Sequence, residues 1–145
     1  MTLHVVMYHP KNLKNIIDVA KLVSEVGGEL IVVERPRATY TTTQLRNIKV
    51  IRDLGELPKQ LGRDTTYIVL ETYGTQYLHE VEIPKTGNIA IVVGAEDYGI
   101  PREEVGKLPR AKVVKIPCRV QGMSYNVVTV VAMALYEVMR QRKSD

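Results

Sequence analysis

The sequence contains a single cysteine, Cys118, and neither phenylalanine nor tryptophan. One cysteine excludes a disulfide bond within the chain, and the three histidines are scattered without the spacing of metal ligands, so we expect no metal site. No apolar run approaches the roughly 20 residues that a membrane-spanning helix needs, and the N-terminus does not resemble a secretion signal. These absences predict a soluble, cytoplasmic protein. We attach no function to the lack of phenylalanine and tryptophan.

Composition and charge are those of one globular domain with a modest positive charge. Apolar residues make up 45% of the 145 residues, enough for one core, and no shift in composition divides the chain, so we predict a single domain over residues 1–145. The formal net charge is +4. A cluster of basic residues is consistent with phosphate binding and equally with a solvated basic surface. The cluster comprises Arg35, Arg37, Arg46, Lys49 and Arg52.

Apolar runs alternate with helical patterns along the chain. LHVVMY, residues 3–8, predicts a strand, residues 13–28 predict a helix, and ELIVVE, residues 29–34, predicts a second strand. A β-α-β unit of this kind favours parallel strands. Further strands are predicted at 48–51, 65–74, 88–94 and 111–117, a short helix or helical turn at 53–62, helices at 101–107 and 124–142, and a surface loop at 35–46. The alternation predicts an α/β domain with a mostly parallel sheet flanked by helices.

The stretch IVVGAEDYGIPREEV, residues 91–105, places Glu96 and Asp97 in a turn between Gly94 and Gly99. Ligands of parallel α/β sheets bind at the carboxyl ends of the strands, where this turn should lie. The two glycines would let backbone groups approach a ligand closely. The turn matches neither the P-loop nor the dinucleotide-binding pattern. Two interpretations stay open at this point: a ligand-binding turn, and an ordinary glycine-flanked turn with solvated acids.

Together with residues 116–142, this turn resembles the last two motifs of the SpoU-like branch of the SPOUT methyltransferases, which methylate ribose 2′-hydroxyls. Gly94, Glu96 and Gly99 match the middle motif, in which Gly-x-Glu-x-x-Gly joins a strand to a helix. Tyr125 replaces the leucine that the last motif usually carries. That motif is otherwise matched in order by four short segments: Ile116-Pro117, Ser124-Tyr125-Asn126, Tyr136-Glu137 and Arg140-Gln141.

The first motif of the family is met less closely. The motif consists of an asparagine, five further residues, an arginine, and then a glycine that ends a helix. In this sequence, Asn15, Lys21 and Gly27 take those places. Lysine therefore stands where the family has arginine. A rival placement that starts at Asn12 puts Asp18 at the arginine position.

The resemblance implies a deep trefoil knot near the C-terminus, a homodimer, and S-adenosylmethionine bound in the knot loops. Those loops would be residues 71–76, 94–99 and 116–124. RNA would be the methyl acceptor, with tRNA favoured over rRNA. The residues that the resemblance places at the cofactor are Leu70, Thr72, Gly74, Gly94, Glu96, Gly99, Ile116, Cys118 and Ser124.

The same resemblance implies the catalytic group. Lys21 would contact a phosphate or act as the base, with Arg102 or Arg119 as substitutes. Glu96 would anchor the loops, while Asp97 would be solvated. Ser124 and Asn126 would cap the start of the last helix and would also hold substrate or cofactor. The full predicted catalytic set is Asn15, Lys21, Glu96, Ser124 and Asn126.

Contacts to RNA are predicted in the basic loop. Tyr40 would stack on a base, and the neighbouring arginines would contact phosphates. The predicted set is Arg35, Arg37, Tyr40 and Arg46. Three alternatives stay open: a non-catalytic RNA-binding dimer, methylation of a base rather than a ribose, and an unrelated nucleotide-binding α/β domain.

Overall fold

The structure of the protein, a computed structural model, describes residues 2–41, 47–119 and 125–142. Within these ranges it has seven strands and four α-helices. The strands are β1 (Leu3–Tyr8), β2 (Glu29–Val33), β3 (Lys49–Ile51), β4 (Thr65–Leu70), β5 (Gln76–Tyr77), β6 (Asn88–Val93) and β7 (Lys112–Lys115). The helices are α1 (Leu13–Glu25), α2 (Leu57–Leu61), α3 (Arg102–Val105) and α4 (Val127–Gln141). One 3-10 turn, Leu54–Glu56, precedes α2, and a second, Leu78–Glu80, follows β5.

All seven strands form one sheet in the order β3-β2-β1-β6-β4-β7-β5, and every pair is parallel. The central strands are almost wholly buried, because a parallel sheet is covered on both faces, and this explains their unbroken apolar runs. Val92 of β6 lies between Val6 of β1 and Val69 of β4. The predicted α/β class with a mostly parallel sheet is confirmed, and the carboxyl ends of β1, β6, β4 and β7 lie along one edge.

Helices α1 and α4 cover one face of the sheet, and the 3-10 turn at Leu54–Glu56, α2 and α3 cover the other. The side chain of Asn12 caps α1 by accepting a hydrogen bond from the backbone N of Lys14 at 2.9 Å. The buried side of α1 carries Ile16, Val19 and Val23, at the spacing that the sequence predicted. The apolar side of α1 is therefore buried against the sheet.

The sheet differs from the prediction at its β5 end. The strand predicted over residues 65–74 ends at Leu70, and the short strand β5 beside β7 was not predicted. The short helix or helical turn predicted over residues 53–62 is confirmed as a 3-10 turn followed by α2. The errors in the sheet fall where a two-residue strand is set by tertiary pairing, which apolar periodicity does not report.

The last helix is a helix despite its β-branched start, and it begins at Asn126, whose side chain accepts a hydrogen bond from the backbone N of Val128 at 2.8 Å. The predicted capping by Asn126 is thus confirmed, while Ser124 lies outside the described residues. Burial of α4 is one-sided in the single chain, since Tyr136 is 68% exposed and Met139 47% exposed. No helix within the described ranges is long and apolar enough to cross a bilayer.

The C-terminal end of α4 is tied to the segment between β5 and β6. Gln141 accepts a hydrogen bond from the backbone N of Ile83 at 2.8 Å and donates one to the carbonyl of Val81 at 2.7 Å. Glu137, which is buried, accepts hydrogen bonds from Arg140 and Gln141, both at 2.6 Å. Glu137, Arg140 and Gln141 of the last sequence motif therefore anchor the helix end.

We expect Gln141→Ala to lower the free energy of unfolding by about 1–3 kcal/mol, because it leaves backbone groups of two buried residues, Val81 and Ile83, without their partner. Urea unfolding measures this. The matched control is Gln60→Ala at an exposed position of α2, which should change stability by no more than about 0.5 kcal/mol. Equal losses for the two variants would contradict the anchoring role of Gln141.

Candidate functional site

A groove of about 860 Å³ lies at the carboxyl edge of the sheet. Its walls come from the segments that follow three adjacent strands, β4, β6 and β7, and from the start of α4. The volume lies in the range of small-molecule sites, and the position is where parallel α/β sheets bind ligands. The described parts of the predicted loops 71–76, 94–99 and 116–124 therefore contribute to one groove.

Most residues that the sequence placed at a cofactor do line this groove. Gly74 is not a lining residue: a Cβ on it would lie 2.8 Å from the backbone N of Lys115, so this glycine lets the loop after β4 pass close to β7. Ser124 lies outside the described residues. The predicted residues that line the groove are Leu70, Thr72, Gly94, Glu96, Gly99, Ile116 and Cys118.

Two glycines allow the acidic turn to fold back on itself. Gly99 has a φ of +65°, and its backbone N donates to the carbonyl of Ala95 at 2.9 Å. A Cβ on Gly94 would lie 2.8 Å from the backbone of Gly99 and 2.9 Å from Oε1 of Glu71. A Cβ on Gly99 would collide with the same Glu71 oxygen. The turn can close only around residues without side chains.

Glu71 joins the loop after β4 to the loop after β6, a role that the sequence analysis missed. Its Oε1 accepts a hydrogen bond from the backbone N of Ile100 at 2.6 Å, and its Oε2 accepts one from Thr72 N at 3.2 Å. Burial raises the pKa of the Glu71 carboxyl, and these two hydrogen bonds oppose the shift. The available signal was an acidic residue directly after the apolar run TTYIVL.

Glu96 connects the acidic turn to the start of α1. Its Oε1 accepts a hydrogen bond from the backbone N of Lys11 at 2.9 Å, and its Oε2 accepts one from Nδ2 of Asn15 at 3.0 Å. Two predicted site residues that are far apart in sequence, Asn15 and Glu96, are thus brought together. Asn126 lines the same groove from the start of α4.

The structure separates Lys21 from this contact. Lys21 lies about 9 Å further along the helix axis than Asn15 and is rotated from it by about 240°. Its side chain is exposed and does not line the groove. The motif spacing puts Asn15 and Lys21 on different faces of α1, so the structure does not bring Lys21 to Asn15 and Glu96 within one chain. The catalytic role of Lys21 stays a prediction. Asp18, the rival match, lies one turn from Asn15.

The substitutes proposed for Lys21 stand elsewhere. The Arg102 guanidinium lies 4.3 Å from the centroid of the Tyr73 ring, and the Tyr73 hydroxyl donates to the carbonyl of Ile100 at 2.6 Å. Arg119 is exposed. Neither arginine lines the groove.

The predicted stacking role of Tyr40 is corrected by its burial. The ring is 8% exposed, and its hydroxyl donates to the carbonyl of Pro10 at 2.5 Å. Burial raises the pKa of Tyr40 to about 12. A ring packed in the core cannot stack on a base. Arg37 is exposed, and Arg46 lies outside the described residues.

Asp97, expected to be solvated, forms a two-pronged ion pair with Arg35. The two guanidinium nitrogens donate to its carboxylate oxygens at 3.0 and 2.7 Å. The hydrogen-bonded arginine lowers the pKa of Asp97 to about 2. Arg35 also donates to the carbonyl of His9 at 3.2 Å, and its guanidinium lies 4.9 Å from the Tyr98 ring centroid. The loop after β6 is therefore held against the ends of β1 and β2.

A further contact at this edge joins the hydroxyl of Tyr98 to Nδ1 of His9, 2.7 Å away. The sequence analysis missed both residues. The signal that was available is positional: His9 directly follows a buried strand, and Tyr98 lies inside the glycine-flanked turn. Among the described residues, no three histidine, cysteine, aspartate or glutamate side chains converge as metal ligands do.

A comparison with protein families matches residues 2–136 to the model of the SpoU rRNA Methylase family. The 23S rRNA (guanosine-2′-O-)-methyltransferase RlmB of Acinetobacter baylyi is 30% identical to this chain, over 92% of the chain and 56% of RlmB. The chain thus spans little more than half the length of this curated relative.

Solved structures agree in fold. One, from work on the 2-OH methylation of C/U34 on tRNA, superposes with a TM-score of 0.79 at 23% identity and covers 96% of this chain and 95% of its own. The SpoU methyltransferase AviRb from Streptomyces viridochromogenes, in complex with AdoMet, has a TM-score of 0.78 at 20% identity, over 97% of this chain and 58% of AviRb. These similarities confirm the predicted fold class.

We expect Gly99→Ala to destabilise the protein more than Gly27→Ala, by roughly a further 1–3 kcal/mol, because only the former forces a collision. The pair is matched in backbone, since Gly27 has a φ of +70° and nothing within 4 Å of an added Cβ. Both variants therefore pay a similar conformational cost of about 1–2 kcal/mol. Urea unfolding of both gives the difference, and equal values would refute the close packing of Gly99 on Glu71.

Proposed function

Because the chain belongs to the SpoU rRNA methylase family, we propose that it is an RNA methyltransferase that uses S-adenosylmethionine to methylate a ribose 2′-hydroxyl. The observation that carries this proposal is the contact of Glu96 with Asn15 at the mouth of a glycine-walled groove. The same two residues match the first and the middle motif of the family resemblance. The relatives named above support ribose as the acceptor, since RlmB is a guanosine-2′-O-methyltransferase.

The groove fits S-adenosylmethionine in shape and charge. Gly94 and Gly99 line the groove, and Leu70, Ile116 and Val130 provide an apolar wall. The carboxylates of Glu71 and Glu96 line the same space and suit a cationic ligand. When bound, this cofactor supplies a sulfonium methyl group that a nucleophilic oxygen can accept.

Glu96 and Asn15 act by positioning. The two hydrogen bonds to Glu96 fix the first turn of α1 against the turn after β6, so groups from two strand ends keep one geometry at the groove. Methyl transfer is an in-line displacement, in which alignment of the donor and the acceptor supplies much of the rate. A rigid link between the two segments serves that alignment.

We propose tRNA as the favoured acceptor and rRNA as the second, in the cytoplasm. Arg35 and Arg37 lie beside the carboxyl end of β2, next to the groove, and the net charge of +4 favours a phosphate backbone. The compact domain would grip an RNA stem or loop by its shape.

We also propose the homodimer and the trefoil knot. The exposed side of α4 carries a stripe at alternating spacings of four and three residues, the pattern of a helix that packs on a second helix. The stripe consists of Thr129, Ala132, Tyr136 and Met139. The knot would involve residues 116–124, part of which lies outside the described residues, so it stays a prediction.

Transfer of labelled methyl from S-adenosylmethionine to bulk tRNA and rRNA, followed by nuclease digestion, tests the function. We expect a 2′-O-methylnucleoside from tRNA. A methylated base would replace the ribose assignment, and cofactor binding without transfer to either RNA pool would favour the non-catalytic RNA-binding dimer. Absence of cofactor binding by calorimetry would refute the proposed activity.

Within that assay, we expect Glu96→Gln to slow transfer by about 10-fold or more, because a glutamine amide cannot accept both hydrogen bonds that Glu96 accepts. Glu25→Gln, an exposed change at the end of α1, is the matched control and should keep the wild-type rate. Lys21→Ala should keep it as well. A wild-type rate for Glu96→Gln, or a large loss for Lys21→Ala, would reverse the assignment of these two residues.

The dimer is tested by light scattering. The wild-type protein should show twice the mass of one chain, and Tyr136→Glu should shift it towards one chain, because a carboxylate would be buried without a partner in the interface. Gln60→Glu, which adds the same charge on α2 at the other face of the sheet, should stay dimeric. A wild-type mass of one chain would contradict the interface.

A further inference from the structure

Among the described residues, none of those assigned a role at the site so far receives the proton of the methyl acceptor. The family's arginine position is filled by Lys21, which points away from the groove, or by Asp18. The three carboxylates that line the groove are engaged: Glu71 and Glu96 each accept two hydrogen bonds, and Asp97 is paired with Arg35. The proton acceptor must therefore be sought elsewhere at the groove.

We propose that Tyr98 and His9 form a catalytic pair, in which the Tyr98 hydroxyl takes the proton from the RNA hydroxyl and passes its own proton to His9. This inference deepens the function proposed above and rests on it. Tyr98 lines the groove with its side chain half exposed, and its hydroxyl lies 2.7 Å from Nδ1 of His9. It is thus open to a ligand on one side and joined to a base on the other.

His9 is held in place from four directions. Its backbone has a φ of +49°, a left-handed conformation that residues with a side chain rarely adopt. Its backbone N donates to the carbonyl of Val33 at 3.1 Å, and its carbonyl accepts from Arg35 at 3.2 Å. The imidazole stacks on Tyr8 with ring centroids 3.9 Å apart. With the hydroxyl of Tyr98 as the fourth contact, these constraints fix the direction of Nδ1.

The charges around His9 favour a neutral ring. The titratable groups that face it are Tyr8 on its own strand, Arg35 after β2, Tyr98 after β6 and Glu104 on α3. Burial, followed by the charge of Arg35, lowers the pKa of His9 below its ordinary value of 6.5, and Glu104 opposes the shift. A neutral imidazole that accepts at Nδ1 carries its own proton on Nε2.

Tyr98 is suited to relay a proton rather than to hold a charge. Burial raises the pKa of its phenol, and Arg35 opposes the shift. The phenol is therefore protonated near neutral pH and can both accept a hydrogen bond from an RNA hydroxyl and donate one to His9.

The step balances in atoms and charge. The ribose oxygen forms a bond to the methyl carbon while the bond from that carbon to sulfur breaks, and the electron pair of that bond stays on sulfur as a neutral thioether. The ribose proton moves to the Tyr98 oxygen as the phenol proton moves to Nδ1 of His9. One positive charge thus passes from the sulfonium to the imidazolium, which releases its proton to water. Asp97 offsets the charge of the neighbouring Arg35 while the imidazolium exists.

Single-turnover methylation of bulk tRNA, measured from pH 5 to 9 beside tRNA binding, tests the pair. We expect Tyr98→Phe to keep tRNA affinity and to lower the maximal rate by about 10²-fold, the usual size of a general-base contribution. The wild-type rate should fall as the pH drops through the pKa of His9, below 6.5, because the protonated ring cannot accept a proton. Both Tyr98→Phe and His9→Asn should remove that inflection. Asparagine is chosen because it tolerates the left-handed backbone.

Two controls match the changes. Tyr67→Phe removes a hydroxyl inside the core, and His4→Asn alters a histidine near the other end of β1; both should keep the wild-type rate and inflection. A wild-type rate and pH profile for Tyr98→Phe would overturn the pair and leave the methyltransferase standing. Loss of tRNA affinity with an unchanged maximal rate would overturn it in favour of base stacking by Tyr98. A wild-type protein without transfer would overturn both proposals.

Discussion

The close approach of the loop after β4 to the turn after β6 is the constraint on which the rest of the site depends. One carboxylate, Glu71, fills the space between them, and it does so because Gly94 and Gly99 present only backbone there. The parallel sheet makes the approach available, since neighbouring strands end at the same edge. A side chain at either glycine would push the two walls of the groove apart.

The acidic residues of the site serve mainly to hold it together. Glu71 binds the backbone of Ile100, Glu96 binds the start of α1, and Asp97 binds Arg35. Each carboxylate accepts hydrogen bonds from a different segment, so the ends of four strands are fixed relative to one another. Charge-assisted bonds of this kind are stronger than neutral ones, and they fix direction as well as distance. The apolar wall and the half-exposed side chain of Tyr98 also line the groove.

The departure from the family's first motif also has a structural setting. A cation at the Lys21 position would sit on the outer face of α1, whereas Arg35 reaches the groove edge from the end of β2 and is held there by Asp97. The guanidinium of Arg35 donates a hydrogen bond to the carbonyl of His9 and lies over the ring of Tyr98. The positive charge at this edge therefore comes from the end of β2 and not from α1, where the motif places it. It contacts a histidine and a tyrosine.

The sequence by itself determined the fold class and most of the long strands and helices, because apolar periodicity is a local property of the chain. Gly94, Glu96, Gly99 and Asn126 were singled out by the family resemblance, since their local pattern also fits an ordinary turn and a helix cap. Only the tertiary structure decided which polar groups meet. The sequence marks Glu71, His9 and Tyr98 only by their places beside strand ends and in a turn, which do not identify their partners far away in sequence. The spacing of the family motif predicted the role of Lys21, and the composition of the basic loop predicted that of Tyr40. Neither feature reports which face of a helix a residue occupies or whether a ring is buried. Contacts between strand ends depend on the order of strands in the sheet, and that order is a property of the whole fold.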